Sequence, residues 1–218
     1  MTPDSCAAAI DRLSRDGLFW GMAEIGPDYG LVEPEDRFVA RAIPARRAEF
    51  SAGRHAARRA LAALERGYDA IPAGPDRAPV WPEGICGSIT HSGIWAIACI
   101  GSSVRWRGIG IDLEPADPLD GDLIDEVAQP HELGGSPDRA RAARCVFSAK
   151  EAVFKAQYPA TGLMFGFDGI SVDLSAGEAR YTEAVGMNLF PPGWKNNRFS
   201  LCQAVRDDLI LSLCAVPT

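Results

Sequence analysis

Lysine is scarce in this chain: 3 residues against 19 arginines, in a total of 218. Two of the three, Lys150 and Lys155, stand within six positions of each other. Where composition favours Arg so strongly, such a pair points to a site needing a compact cation on a flexible stem, as a crowded phosphate does. Paired cysteines are missing as well. Cys6, Cys86, Cys99, Cys145, Cys202 and Cys214 are scattered with no Cys-x-x-Cys, which argues against a zinc site or a dithiol redox motif. No run approaches the ~18 apolar residues of a membrane span. The start, Met1-Thr-Pro-Asp-Ser-Cys-Ala, lacks the basic and then apolar pattern of a signal peptide. A cytoplasmic protein is the expectation, without membrane association and without need of disulfides. There is no Gly-x-x-x-x-Gly-Lys, so no P-loop. There is no Gly-x-Ser-x-Gly, so no hydrolase elbow. Basic excess is also absent: the net charge of −7 counts against general nucleic-acid binding.

The charge is nevertheless uneven. Between Arg37 and Arg66 stand eight arginines against two acids, Glu49 and Glu65. An acidic chain with one basic stretch suggests a defined anionic ligand. A helix is predicted from Pro44, with Pro in its first turn, to a stop near Gly67. Arg46 and Arg54, eight apart, share one face of it and could grip one anion bidentately; a solvated basic face is the plainer alternative. Gly53 costs this helix about 1 kcal/mol relative to Ala, unless close approach of another element or a ligand requires it.

An earlier short helix is expected over residues 5–16, followed by the aromatic and Gly-rich segments Gly17-Leu-Phe-Trp-Gly-Met and Gly26-Pro-Asp-Tyr-Gly. Pro72–Pro82 reads as a loop. Ile85–Thr90 and Ile94–Ile100 read as strands joined by a turn at His91-Ser92-Gly93. That turn carries Ser88, Thr90 and His91, hydroxyls and an imidazole suited to a phosphate, although a turn histidine can be incidental. A third strand, Arg107–Pro115, puts Asp112 and Glu114 on one face. Paired carboxylates suit Mg²⁺, which keeps waters and takes substrate phosphate oxygens; a solvated strand end would look the same. Residues 115–137 read as loop with a short helix, and a second long helix runs from Pro137 to a stop at Pro159. On it Glu151 and Lys155 lie one turn apart. At a surface such a pair contributes only ~0.3–0.5 kcal/mol, but the Phe, Val and Ala around it imply a helix packed on most sides. Four further strands follow: Gly169–Leu174, Arg180–Val185, Phe199–Val205 and Leu209–Val216. The helix–strands, helix–strands order gives two α+β halves dividing near residues 102–115.

Taken in order, Glu49-Phe-Ser-Ala-Gly-Arg54, Trp81-Pro82…Gly87-Ser-Ile-Thr-His-Ser, Gly108-Ile-Gly-Ile-Asp-Leu-Glu and Phe147-Ser-Ala-Lys-Glu-Ala-Val-Phe-Lys-Ala resemble the 4′-phosphopantetheinyl transferase superfamily. The likeness is to its larger, single-chain class, which activates siderophore, nonribosomal-peptide and polyketide synthetases, and it covers about Phe38 to Pro159. It implies an α+β fold of two similar lobes, each a long helix on a small mainly antiparallel sheet, related by a pseudo-two-fold. Residues 1–106 would be the lobe contacting the 3′-phosphate of coenzyme A, and 107–218 the lobe with the carboxylates and the Lys-Glu helix. The implied reaction is Mg²⁺-dependent (Mn²⁺ being an alternative) transfer of 4′-phosphopantetheine from coenzyme A to a serine of an apo acyl carrier protein or peptidyl carrier domain, releasing 3′,5′-ADP.

Residue by residue, the resemblance implies metal ligation by Asp112 and Glu151, with Glu114 direct or through water, and Glu151 as candidate base for the acceptor serine. Lys150 and Lys155 would contact phosphates, and Arg46, Arg54 and His91 the 3′-phosphate, beside Ser88 and Thr90. Related chains often carry a lysine in the loop before Trp-Pro. Here Arg77 stands for that charge. A monomer is expected. A metal-dependent phosphodiesterase or nuclease, and a carrier-binding module without chemistry, are the rival classes.

Overall fold

The computed structural model describes residues 1–67, 70–186, 194 and 198–218. Helix α1 (Pro3–Leu13) opens on a Thr2 cap whose hydroxyl accepts from the Ser5 amide. Strand β1 (Phe19–Glu24) follows, then a single turn, α2 (Glu35–Phe38), and the long helix α3 (Pro44–Ala63). Strands β2 (Ile85–Ser92) and β3 (Trp95–Ser102) form a hairpin over Gly93-Ile94. With β1 they make an antiparallel sheet in the order β1-β3-β2. Strand β4 (Trp106–Pro115) leads to α4 (Gly121–Val127), a 3₁₀ turn at Pro130–Leu133, and α5 (Arg139–Thr161). The chain ends in β5 (Ile170–Asp173), β6 (Glu178–Tyr181), β7 (Phe199–Val205) and β8 (Leu209–Pro217), giving a second antiparallel sheet in the order β4-β8-β7-β6-β5.

The α+β expectation holds, with one long helix on each of two antiparallel sheets: α3 packs on β1 and β3, and α5 on β4 and β8. Glycine makes both contacts close. A Cβ on Gly21 would lie 2.0 Å from the carbonyl oxygen of Ala56 in α3, and one on Gly110 1.9 Å from that of Ala152 in α5. The opposite faces of the sheets share one core, in which Ile97 and Cys99 meet Ile111, Leu211 and Leu213. Helix α1 joins that core through Cys6, Ala9 and Leu13 and packs on β7 and β8. Between the sheets, β2 lies beside β4, and the Leu113 amide donates to the Thr90 hydroxyl at 3.0 Å.

Three sequence expectations are corrected. Strand β1 was not foreseen, because the glycine that α3 requires at position 21 erases its apolar alternation. Helix α5 continues through Pro159 to Thr161 and stops at Gly162, which adopts φ 66°. In the last turn a proline removes a single hydrogen bond, which the helix tolerates. Strand β6 lies at Glu178–Tyr181 rather than 180–185. Gly53 finds its reason in close approach: a Cβ there would meet Ile89 of β2 at 3.1 Å.

Candidate active site

The site begins with the glycines under α5. Gly108, Gly110, Asp112 and Glu114 lie on one face of β4, and the absence of side chains on the first two lets the helix backbone rest on the strand. Where the helix face meets the strand end, Asp112 comes within reach of α5. Lys155 Nζ donates to Asp112 Oδ1 at 2.6 Å. The other oxygen, Oδ2, is buried without a hydrogen-bond partner, on a residue only 4% exposed. An unpaired carboxylate oxygen in such a place is costly unless a cation or donor reaches it.

Glu151, one turn before Lys155, has its carboxyl pushed up by burial; Lys155 opposes the shift and the charge of Asp112 adds to it. Glu114 is also pushed up by burial and by Asp112, and its carboxylate pairs with Arg144 at 2.9 Å.

Helix α3 and β2 supply the other side. Arg46 Nη1 lies 3.1 Å from Glu49 and 3.3 Å from His91 Nε2. Burial holds His91 below the usual imidazole range, and the charges of Lys155 and Asp112 are felt there as well as those of Glu49 and Arg46. That coupling puts Arg46, His91, Asp112, Glu151 and Lys155 around one seam between the two sheets.

Arg54 is buried, its Nε donating to the Ile71 carbonyl at 2.5 Å and its guanidinium lying 4.0 Å from the Phe50 ring centre. Burial pulls its pKa down to about 10. Its terminal nitrogens make no hydrogen bond among the described residues, so they remain available to an anion.

Along the seam runs a cleft of about 500 Å³, lined among others by Arg77, Ser88, Phe154, Lys155 and Tyr158. Arg77 adopts φ 69°, an arrangement that a non-glycine residue rarely takes. Its amide donates to Gly74 O at 2.9 Å, closing the turn that carries it to the cleft.

Two predicted ligands hold the fold as well. The Thr90 hydroxyl accepts the Leu113 amide across the seam, which leaves its O–H to donate. Lys150 is 3% exposed and its ammonium donates to Val127 O, Glu132 and Phe167 O at 2.9, 2.8 and 2.9 Å. An ammonium has three donors, so none is left for phosphate.

Among the described residues no three acidic, histidine or cysteine side chains converge as a ready metal cage. The donor set still fits Mg²⁺, which needs few protein ligands because it arrives with waters and substrate phosphate oxygens. The orphaned Asp112 Oδ2, with the half-buried Glu151 near enough to feel the charge of Asp112, is the observation that supports it. Glu114, turned to Arg144, is the weaker member of the trio.

Glu132 and Tyr158 were not foreseen from the sequence, and Glu49 stood there without a role. Only Glu49 carried a signal, standing three residues after Arg46 on the same helix face. Tyr158 lies one turn beyond Phe154, and both were hidden among the apolar residues that pack α5.

Family models match most of the chain. One for the 4′-phosphopantetheinyl transferase N-terminal domain matches residues 34–101, and one for the 4′-phosphopantetheinyl transferase superfamily matches residues 108–214. The chain is 37% identical over 150 residues to 4′-phosphopantetheinyl transferase Npt of Nocardia iowensis, spanning 67% of this chain and 68% of that protein. It is 35% identical over 160 residues to 4′-phosphopantetheinyl transferase PptT of Mycobacterium tuberculosis, spanning 72% and 70%. It is 39% identical over 118 residues to enterobactin synthase component D of Escherichia coli K12, spanning 51% and 54%.

Proposed function

The chain belongs to the 4′-phosphopantetheinyl transferase superfamily, and on that premise we propose that it moves 4′-phosphopantetheine from coenzyme A to a serine of an apo acyl carrier protein or peptidyl carrier domain. The observation that carries the reading is the Lys155–Asp112 pair with its orphaned carboxylate oxygen, in which Lys155 lines a cleft shared with Arg77 and Ser88, while His91, beside Arg46, feels the charges of both Lys155 and Asp112.

Coenzyme A lies in that cleft. Arg46, Arg54 and His91 take the 3′-phosphate, while Arg77 and Ser88 line the path of the nucleotide. Lys155 binds the pyrophosphate and balances the charge that gathers on it in the transition state. The acceptor serine oxygen attacks the phosphorus that bears the pantetheine. The new P–O bond forms as the bond to the other phosphate breaks, and 3′,5′-ADP departs with the electron pair. Glu151 is the candidate acceptor of the serine proton, directly or through water, a role that competes with holding Mg²⁺ because a metal-bound carboxylate is a poor base. Asp112 and Glu151 would hold Mg²⁺, with Glu114 assisting through water. The chemistry a bound Mg²⁺ supplies is neutralisation of the pyrophosphate and of the leaving 3′,5′-ADP.

The division into residues 1–106 and 107–218 belongs to this reading as well; β4 opens at Trp106, one residue before that boundary. The acceptor is a protein, so its surface must approach the seam from outside. No helix of the described residues is long and apolar enough to cross a membrane.

Release of 3′,5′-ADP tests the proposal. With coenzyme A, Mg²⁺ and apo carrier together it should appear at one equivalent per carrier, and it should vanish on omission of carrier or addition of EDTA. Release without carrier would point to a phosphodiesterase instead.

A further inference from the structure

Lys150 neighbours the candidate base in sequence, yet it faces away from the cleft between the sheets. Its ammonium is the centre of a knot. Besides Lys150, Glu132 Oε2 accepts the Gln129 amide at 2.7 Å, and Oε1 accepts the Val172 amide at 2.8 Å. Glu132 is 5% exposed. One buried ion pair therefore ties α5 to the end of α4, to the 3₁₀ turn, to the Phe167 carbonyl and to β5. The segment at Phe167 matters for chemistry. Met164, Phe165 and Phe167 form one wall of a pocket of about 210 Å³, and Lys150, Glu151 and Phe154 line the same pocket. The carbonyl that Lys150 holds belongs to that wall.

We infer that Lys150 and Glu132 are a positioning pair: they hold the Met164–Phe167 wall against Glu151 so that the accepting hydroxyl meets the carboxylate correctly, and Lys150 contacts no phosphate. The pair acts through Glu151, and this rests on the transfer reading above. Burial makes it a matter of both partners. Removing one leaves the other charged and unpaired in the interior, whereas removing both charges spares that penalty.

The test is a double-mutant cycle of Lys150→Met and Glu132→Gln, read by calorimetric coenzyme A binding, by kcat at saturating substrates and by urea unfolding. The paired variant should fold, bind coenzyme A within about 3-fold of the parent, and lose about 10- to 100-fold in kcat, the usual scale for a displaced reacting group. Lys150→Met should cost far less in the Glu132→Gln background than alone. Glu132→Asp, which keeps the charge but shortens its reach, should show the same fall in kcat with unchanged binding, at smaller size. Coenzyme A affinity weakened more than about 10-fold in both Lys150→Met and the paired variant would make Lys150 a phosphate ligand and overturn the inference. A paired variant with unchanged kcat would overturn it too, leaving only a structural knot. If the parent chain neither binds coenzyme A nor transfers from it, the transfer reading falls and the positioning role falls with it; coupling in urea unfolding alone would identify that outcome.

Discussion

The two sheet–helix units are built alike and charged differently. In each, a glycine on a strand (Gly21, Gly110) admits the carbonyl of a helix alanine (Ala56, Ala152). In each, a helix cation is buried on a carboxylate that also receives backbone amides. Arg58 of α3 donates to both oxygens of Glu35 at 2.8 Å, and Glu35 accepts the Ile71 amide at 2.8 Å. Lys150 of α5 and Glu132 do the same around Val172. The first knot anchors Ile71, just before the loop that presents Arg77; the second anchors the wall beside Glu151. What differs is the residue each unit offers at the seam. The first offers cations and an imidazole, the second carboxylates and one lysine. On the proposed function, one architecture would supply a grip for the terminal phosphate on one side and charge control at the reacting phosphate on the other.

That division of labour can be broken from either side. Asp112→Ala in the second unit should lower transfer by about 1,000-fold or more, with coenzyme A still bound. Steady-state release of 3′,5′-ADP beside calorimetric binding measures both. Glu35→Gln in the first unit should cost about 3–5 kcal/mol of stability, because Arg58 is left buried with half its partner. Urea unfolding reads that loss directly. Gly21→Ala and Gly110→Ala should each destabilise by about 1–3 kcal/mol, since each Cβ would lie within 2.0 Å of helix backbone. Near-equal values would support the structural likeness, and a neutral result at either would break it. Arg46→Ala should weaken coenzyme A by about 10- to 100-fold, as losing a charged hydrogen bond would. The same variant should cease to discriminate against 3′-dephospho-coenzyme A.

The smallest effect concerns pH. Burial lowers the folded pKa of His91, so His91 opposes folding as pH falls below the unfolded imidazole value of about 6.5. A phosphate bound beside it favours the imidazolium and reverses the sign for binding. Coenzyme A should therefore bind about 3-fold more tightly at pH 6 than at pH 8, with proton uptake. His91→Gln should remove both the uptake and the pH dependence.

Much of this was legible in the sequence, for identifiable reasons. Helices α3 and α5, strands β2 to β4 and the β7–β8 hairpin carry unbroken periodicity, and the seam residues Arg46, His91, Asp112, Glu151 and Lys155 sit in compact motifs. Two of the losses share a cause, which is packing between distant segments. Strand β1 was hidden by the glycine its helix needs. Lys150 looked like a ligand because Glu132, 18 residues away, is invisible to local spacing.

The central claim is that the carboxylates of one unit and the cations of the other act on one bound coenzyme A for the benefit of a carrier serine. Intact mass of an apo carrier, after incubation with coenzyme A, Mg²⁺ and the protein, tests it most directly. The account predicts a gain of one phosphopantetheine group with the parent chain and none with Asp112→Ala. An unchanged carrier mass with the parent chain across acyl and peptidyl carriers, or a full gain with Asp112→Ala, would contradict it.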